Sequence, residues 1–365
     1  MSEDLLYQIA ITLIPGIGDV LGKKLIAYCG SPEAVFQQRK SSLMKIPGIG
    51  EFFASAVIRQ NVFGQAEAEI RFMEDNAICP LFYLDPLYPL RLKQCPDSPL
   101  MLYSKGPAQL NANRILGVIG TRKATSYGKD RCAELIAGLA PHNVSIVSGL
   151  AYGIDICAHR YCLKNNLPTI AVLAHGMDIL YPPLHRTTAR MIAECGALLS
   201  DYPSGTHPDK ENFPKRNRIV AGLCDGIVVV ESASDGGSMI TADIANSYSR
   251  DVFAFPGRTE DVFSAGCNRL IKQNKAALVE DAGDILRMMG WEEQKKKAPR
   301  QQSLFIELKP EEEAIVEVMK DKGNVHIDEI SALAAIPVFR ISALLLDLEF
   351  SGVLKSLPGK MYRLN

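Results

Sequence analysis

Ile115-Leu116-Gly117-Val118-Ile119-Gly120-Thr121-Arg122-Lys123-Ala124-Thr125-Ser126-Tyr127-Gly128-Lys129 joins a short β-branched apolar run to a loop of hydroxyls, cations and glycines. A run of that length, closed by glycine, reads as a strand buried on both faces. Next come an amphipathic helix with Cys132, Leu135, Ile136 and Leu139 on one face and a second buried strand at 144–147. That strand runs into another glycine turn, Ser148-Gly149-Leu150-Ala151-Tyr152-Gly153, and a helix start at Ile154-Asp155. Strand, loop and helix in succession, met twice, make a parallel pair whose loops open at one edge of the sheet. Helix N-termini at that edge favour anions. From Arg114 to Arg131 five basic residues stand against one acid, Asp130. The stretch predicts a phosphate-binding site.

Outward from it the alternation continues. Apolar runs at 169–173, 197–200, 226–231 and 252–255 are separated by helical patterns, including 158–164, 186–194 and 239–248. This predicts an α/β fold, a doubly wound sheet of extended Rossmann-like type. The preceding stretch holds two strand-like runs, 78–82 and 100–103, and is apolar enough to pack on the sheet, so the domain is set at 66–290. Residues 1–65 carry an internal repeat: Ile14-Pro15-Gly16-Ile17-Gly18 returns as Ile46-Pro47-Gly48-Ile49-Gly50, each between helical patterns. Helix, glycine hairpin, helix resembles the helix-hairpin-helix (SAM-like) modules of DNA-handling proteins, whose hairpin N–H groups hold a phosphate. The acidic and greasy Glu51-Phe52-Phe53 after the second hairpin weighs toward an interaction module instead. Residues 291–307 are charged and non-periodic, a linker. Over 308–365, helical patterns at 310–322, 326–334 and 337–350 and a closing ribbon predict a winged-helix module. Its seven basic and nine acidic side chains suit protein contact better than reading DNA.

Composition sets the outer limits. The chain has 365 residues, 47% of them hydrophobic, and a net charge of −1, so attraction to a polyanion must come from local clusters. The nine cysteines are scattered without a C-x-x-C pair and read as reduced thiols of a cytoplasmic protein rather than as a zinc site. No secretory leader and no apolar run of membrane-spanning length is read, so no membrane partner is expected.

A further cluster is Phe213-Pro214-Lys215-Arg216-Asn217-Arg218, three cations and an amide beside an aromatic ring, with no acid from Asn212 to Cys224. A charge run is usually a solvated face. Here it lies between strands of one sheet, where loops reach the ligand edge, and phenylalanine offers a base-stacking surface. Ser238, at a helix start prepared by Gly236-Gly237, adds an oxyanion-binding point. Asp155 and His159 stand at i, i+4, but without a third ligand nearby they read as a helix-start acid and a packed imidazole. The first loop lacks G-x-G-x-x-G, which argues against a dinucleotide, and neither cofactor nor metal is expected.

Taken with Ile119-Gly120-Thr121-Arg122, the 148–155 turn with Ala158-His159, and Phe213 to Ile219, the motifs Gly237-Ser238-Met239-Ile240-Thr241-Ala242 and Phe255-Pro256-Gly257 resemble the DNA-processing protein A (DprA, or Smf) family. The resemblance implies a non-enzymatic protein that binds single-stranded DNA, forms homodimers and loads the RecA recombinase on incoming DNA in natural transformation. It places the DNA site at Thr121, Arg122, Lys123, Phe213, Lys215, Arg216, Asn217, Arg218, Gly237 and Ser238. One departure is Asp235, where such proteins commonly carry a lysine. The rival is a nucleotide-hydrolysing enzyme of the lysine-decarboxylase-like phosphoribohydrolase type. That chemistry needs a glutamate after the glycine turn, and none occurs before Glu260.

Overall fold

The computed structural model describes residues 3–292, 308–320 and 322–364. They separate into two compact units, Met1–Glu292 and Glu293–Asn365. Each is described by itself. The linker expected over 291–307 lies outside the described residues except for Trp291 and Glu292, and Trp291 is buried in the first unit's core.

The first unit is built on a nine-stranded sheet. In chain order its strands are β1 (Cys79–Phe82), β2 (Met101–Lys105), β3 (Ile115–Ile119), β4 (Ser145–Ser148), β5 (Thr169–Val172), β6 (Ala197–Ser200), β7 (Gly226–Val229), β8 (Asp251–Ala254) and β9 (Ala277–Leu278). Their spatial order is β1-β2-β6-β5-β4-β3-β7-β8-β9. From β6 through β9 every pairing is parallel, and β3 to β7 are buried along their whole length, as continuous apolar runs require. The helix Ser126–Leu139 turns Cys132, Leu135, Ile136 and Leu139 inward, as its 3.6-residue period predicts.

The 66–110 region does more than pack on the sheet. β2 pairs antiparallel with β6, and β1 with β2, so this region forms one end of the sheet itself. Pro80, which lacks an N–H, sits in the outermost strand, where a missing donor costs least.

Both glycine hairpins form as the repeat predicts. Ile17 N–H donates to Ile14 O at 3.1 Å and Ile49 N–H to Ile46 O at 3.0 Å, with Gly16 and Gly48 at φ +82° and +86°. Each opens a helix, Asp19–Cys29 and Glu51–Arg59. The helix Phe63–Asp75 runs through the expected division between residues 65 and 66. The helical module and β1–β2 also share one apolar core, in which Ile9, Leu25, Val57 and Ile70 meet Phe82, Met101 and Tyr103.

An ionic clasp fastens this module to the sheet. Arg218 donates to Asp19 at 2.9 Å, in the first turn after the first hairpin, and to Asp201 at 2.8 Å, just past β6. Burial lifts the Asp201 carboxyl to about 6, with Arg218 pulling it down and Asp19 pushing it up. An acid held above its unfolded value stabilises the fold while protonated, and that contribution is lost as pH rises through the folded value. Asp201→Asn should therefore flatten the change in urea midpoint between about pH 4 and 6. A variant as pH-sensitive there as the parent would place the titration on another group.

The second unit has its own core of Ile315, Ile330, Ile341, Leu345, Leu348 and Leu354. Three helices, Pro310–Met319, Ile327–Ala334 and Val338–Phe350, surround it. The ribbon β11 (Leu354–Leu357) and β12 (Met361–Leu364) gains a third strand, β10 (Val325–His326), which pairs with β12. This is a winged helix. Among the described residues no single helix is long and apolar enough to cross a membrane, and all nine cysteines are free thiols.

Candidate functional site

The chain leaves β3 for β4, β5 and β6 on one side, then returns past it to β7 and β8 on the other. The loops after β3 and β7 therefore diverge and leave a crevice at the carboxyl edge of the sheet, where such folds bind ligands. A cleft of about 740 Å³ lies there. Its walls come from 119–123 after β3, from Gly149 and Ala151 after β4, from Phe213, Pro214, Arg216 and Asn217 on the helix Asn212–Leu223, and from the turn 236–238.

Each wall is fixed from behind. Thr121 N–H donates to Glu231 O at 2.7 Å, and Ile154 N–H donates to Thr121 O at 3.1 Å, so the first loop is tied to both neighbouring connections. Gly153 makes this possible: at φ +79° it lies so close that a Cβ would fall 2.0 Å from Thr121 O. Thr125 caps the helix Ser126–Leu139, and its hydroxyl donates to the buried Glu231 carboxylate at 2.6 Å.

Arg216 lies beneath the second wall, only 3% exposed. Its guanidinium donates to Gly149 O at 2.6 Å and to Val172 O. Gly149 has no side chain because a Cβ would meet that guanidinium at 2.5 Å. The partner charge is Asp155, whose carboxyl burial raises above the usual carboxylate range against the opposing pull of Arg216.

The open face is cationic and aromatic. The exposed Arg122 guanidinium stands 5.1 Å from the centre of the Phe213 ring, and Phe213 in turn meets Tyr181 at 5.9 Å. Lys123 and Lys210 complete the wall, so four cations face one carboxylate, Asp155, among the lining residues. Such a surface can hold a phosphodiester chain at its cations and a flat base against its rings.

Of the ten residues expected here, Thr121, Arg122, Lys123, Phe213, Arg216, Asn217, Gly237 and Ser238 line the cleft. Gly237 is open to solvent, with nothing within 4 Å of where a Cβ would sit. Ser238 is buried and its hydroxyl donates to Ser232 Oγ at 2.7 Å, so it shapes the turn. Asn217 accepts from Arg216 Nε at 3.3 Å. Lys215 is exposed but outside the lining, and Arg218 points away into the clasp with Asp19 and Asp201. Tyr181, Lys210, Gly149, Ala151 and Asp155 line the cleft without having been expected to. The 148–153 turn was expected at this edge without a binding role, whereas nothing in the sequence linked Tyr181 or Lys210 to it.

His159 is fully buried, its Nδ1 2.7 Å from Thr169 Oγ1, and burial pushes its pKa down to about 3. It is a packed imidazole, and the described residues contain no metal-binding group of histidines, cysteines and acids. On the helix Gly237–Ser247, Asp243 pairs with Lys275 at 2.7 Å.

Comparison with known proteins agrees with this architecture. The family model described as DNA recombination-mediator protein A matches residues 80–290, and that of the DprA winged helix domain matches residues 296–360. Protein Smf of Synechocystis sp. is 31% identical over 98% of this chain and 98% of its own. The X-ray structure of DNA processing protein A from Streptococcus pneumoniae superposes with a TM-score of 0.69 at 32% identity, covering 77% of this chain and 97% of that one. A Helicobacter pylori DNA processing protein A, described for its single-stranded DNA binding mode, gives 0.53 at 29% identity over 58% of this chain and 95% of its own.

Proposed function

The chain belongs to the DNA recombination-mediator protein A (DprA/Smf) family, and from that premise we propose that it binds single-stranded DNA in the cleft between the loops after β3 and β7. The observation that carries this is the Arg122–Phe213–Tyr181 cluster, the two rings edge to face, beside Lys123 and Lys210 at a crevice lined by backbone. Thr121, Arg122, Lys123, Phe213, Asn217 and Gly237 are the proposed contacts, joined by Tyr181 and Lys210. Arg216 and Ser238 position the walls, Lys215 is left to the rim, and Arg218 drops out of the site. The wider role is loading of RecA recombinase on the bound strand during natural transformation, by a homodimer in the cytoplasm. Family membership supports those last assignments.

Titration with fluorescent oligothymidine tests the site. Phe213→Ala should cost about 1–3 kcal/mol of binding, the usual worth of one stacked base. Arg122→Ala should weaken binding and also flatten log K against log salt by roughly 0.7 for each phosphate released. Unchanged affinity and slope in both variants would put the strand on another surface. Asp235 stays exposed at the Gly236–Gly237 turn, and Asp235→Lys should tighten binding mainly at low salt.

A further inference from the structure

The helices Ser126–Leu139 and Ile154–Lys164 pack side by side, with Cys132, Ile136, Ile154 and Ala158 in one core. In crossovers of this kind each helix starts at the carboxyl edge of the sheet. Lys129 and Cys157, in the two first turns, therefore stand at the same edge as the cleft. The loop 121–124 lies between. A Cβ at Gly153 would meet Arg122 Cα at 2.8 Å, and Ala124 packs against the helices' core. Lys129 on one helix and Arg160 on the other act on one half-buried thiol, Cys157, whose pKa burial raises and these cations pull down. Cys157, Arg160 and Lys164 follow at intervals of three and four, so they share one outward face.

Lys123, Lys129, Arg160 and Lys164 are all exposed, and among the described residues no carboxylate pairs with any of them. By contrast Arg131, Arg190 and Arg287 each pair with an acid one turn away on their own helix. The helix Ile154–Lys164 has no acid except the buried Asp155, so its outer face carries one sign of charge. Beside the row, Glu134 is taken by Arg131 and Asp130 alone opposes the four cations. In a chain of net charge −1, such a row is a local arrangement and not the surplus of a basic protein.

We propose that a single strand leaving the cleft crosses the loop at Lys123 and continues along Lys129, Arg160 and Lys164, a second segment of the DNA track that holds phosphates only. This rests on the cleft being the DNA site. Lys123 belongs to both surfaces, since it lines the cleft and begins the row. One row of cations suits one phosphate chain. The row has no recess among its own side chains for a base edge, so it adds affinity and length to the site without adding sequence preference.

The test compares two oligothymidines on the full chain, one of about 6 nucleotides that the cleft alone can hold and one of about 20. Lys129→Gln/Arg160→Gln/Lys164→Gln changes exposed, unpaired side chains, so its thermal melt should match the parent's. With the long strand, its plot of log K against log salt should be flatter than the parent's by about 2, roughly 0.7 for each of three phosphates. With the short strand, variant and parent should coincide. A parental slope on the long strand would overturn the proposal, as it would if the long strand simply bridged the clefts of two chains. Equal loss on both strands would also overturn it, by making the three cations part of the cleft. Failure of the cleft itself looks different: the short strand would then bind equally well to the parent and to Arg122→Ala, and the track would fall with it. Benzoylphenylalanine in place of Lys164 gives an independent reading. On irradiation it should attach to the long strand and not to the short one, and attachment to neither would overturn the proposal.

Discussion

Arg218→Ala should lower the stability of the first unit by about 3–5 kcal/mol, the usual cost of removing one member of a buried ion pair. The guanidinium lies between two carboxylates, its side chain 16% exposed, against 31% for Asp19 and 9% for Asp201. Without it, two like charges face each other in a poorly hydrated seam, and Asp201 Oδ1 already has no hydrogen-bond partner. Asp19 also accepts from Leu100 N–H at 2.8 Å, so the loss reaches the start of β2. The urea midpoint should fall with little change in the slope m. Arg218→Ala/Asp201→Asn should recover part of the loss, because one of the stranded charges is gone. The salt dependence of single-strand binding should stay at the parent's value in the folded fraction. A variant of parental stability with a flattened salt slope would return Arg218 to the DNA site.

Arg216→Ala should be comparably costly, again about 3–5 kcal/mol, but through a different arrangement. It removes the donors that satisfy Gly149 O and Val172 O and leaves Asp155 buried without its counter-charge. Asp155 already titrates above the ordinary carboxylate range because of burial, and losing Arg216 raises it further. A raised acid stabilises the folded state only while protonated, and this help disappears as pH rises through its folded value. The deficit relative to the parent should therefore be smaller at pH 5 than at pH 8. A deficit independent of pH would mean that Arg216 is not compensating Asp155. Single-strand affinity should also fall, since Gly149 and Ala151 lose the support that holds them at the cleft wall.

The two variants show what the sequence could and could not reveal. The parallel strands were legible because burial on both faces leaves an unbroken apolar run, and the helices because their apolar residues recur every 3.6 positions. The glycine hairpins were legible from a five-residue repeat. The pairing of β2 with β6 was not, since strand partners are chosen by the whole fold and leave no local mark. The Lys215-Arg216-Asn217-Arg218 run explains the misplaced part of the site. Residues of a helix turn by about 100° each, so adjacent cations face different surroundings. Lys215 goes to solvent, Arg216 beneath the loops and Arg218 to Asp19 and Asp201, although composition alone makes them one basic cluster. Phe213 lines the cleft, as its place beside a basic cluster at that edge suggested, whereas Tyr181 arrives from a proline-marked loop outside both basic clusters.

The sheet order also has a consequence for biosynthesis. Tyr103 pairs with Ser200, so the second strand made by the ribosome must wait for β6 before it has a neighbour toward the sheet centre. During that interval the nascent β1–β2 ribbon keeps one edge unpaired, the kind of edge that invites association between chains. The amino-terminal helices are already outside the exit tunnel by then, and they share a core with Phe82, Met101 and Tyr103. They can shelter the ribbon's apolar face while its edge waits. Deleting them should therefore lower the yield of soluble chain emerging from translation more than it lowers the equilibrium stability of chains that have finished folding.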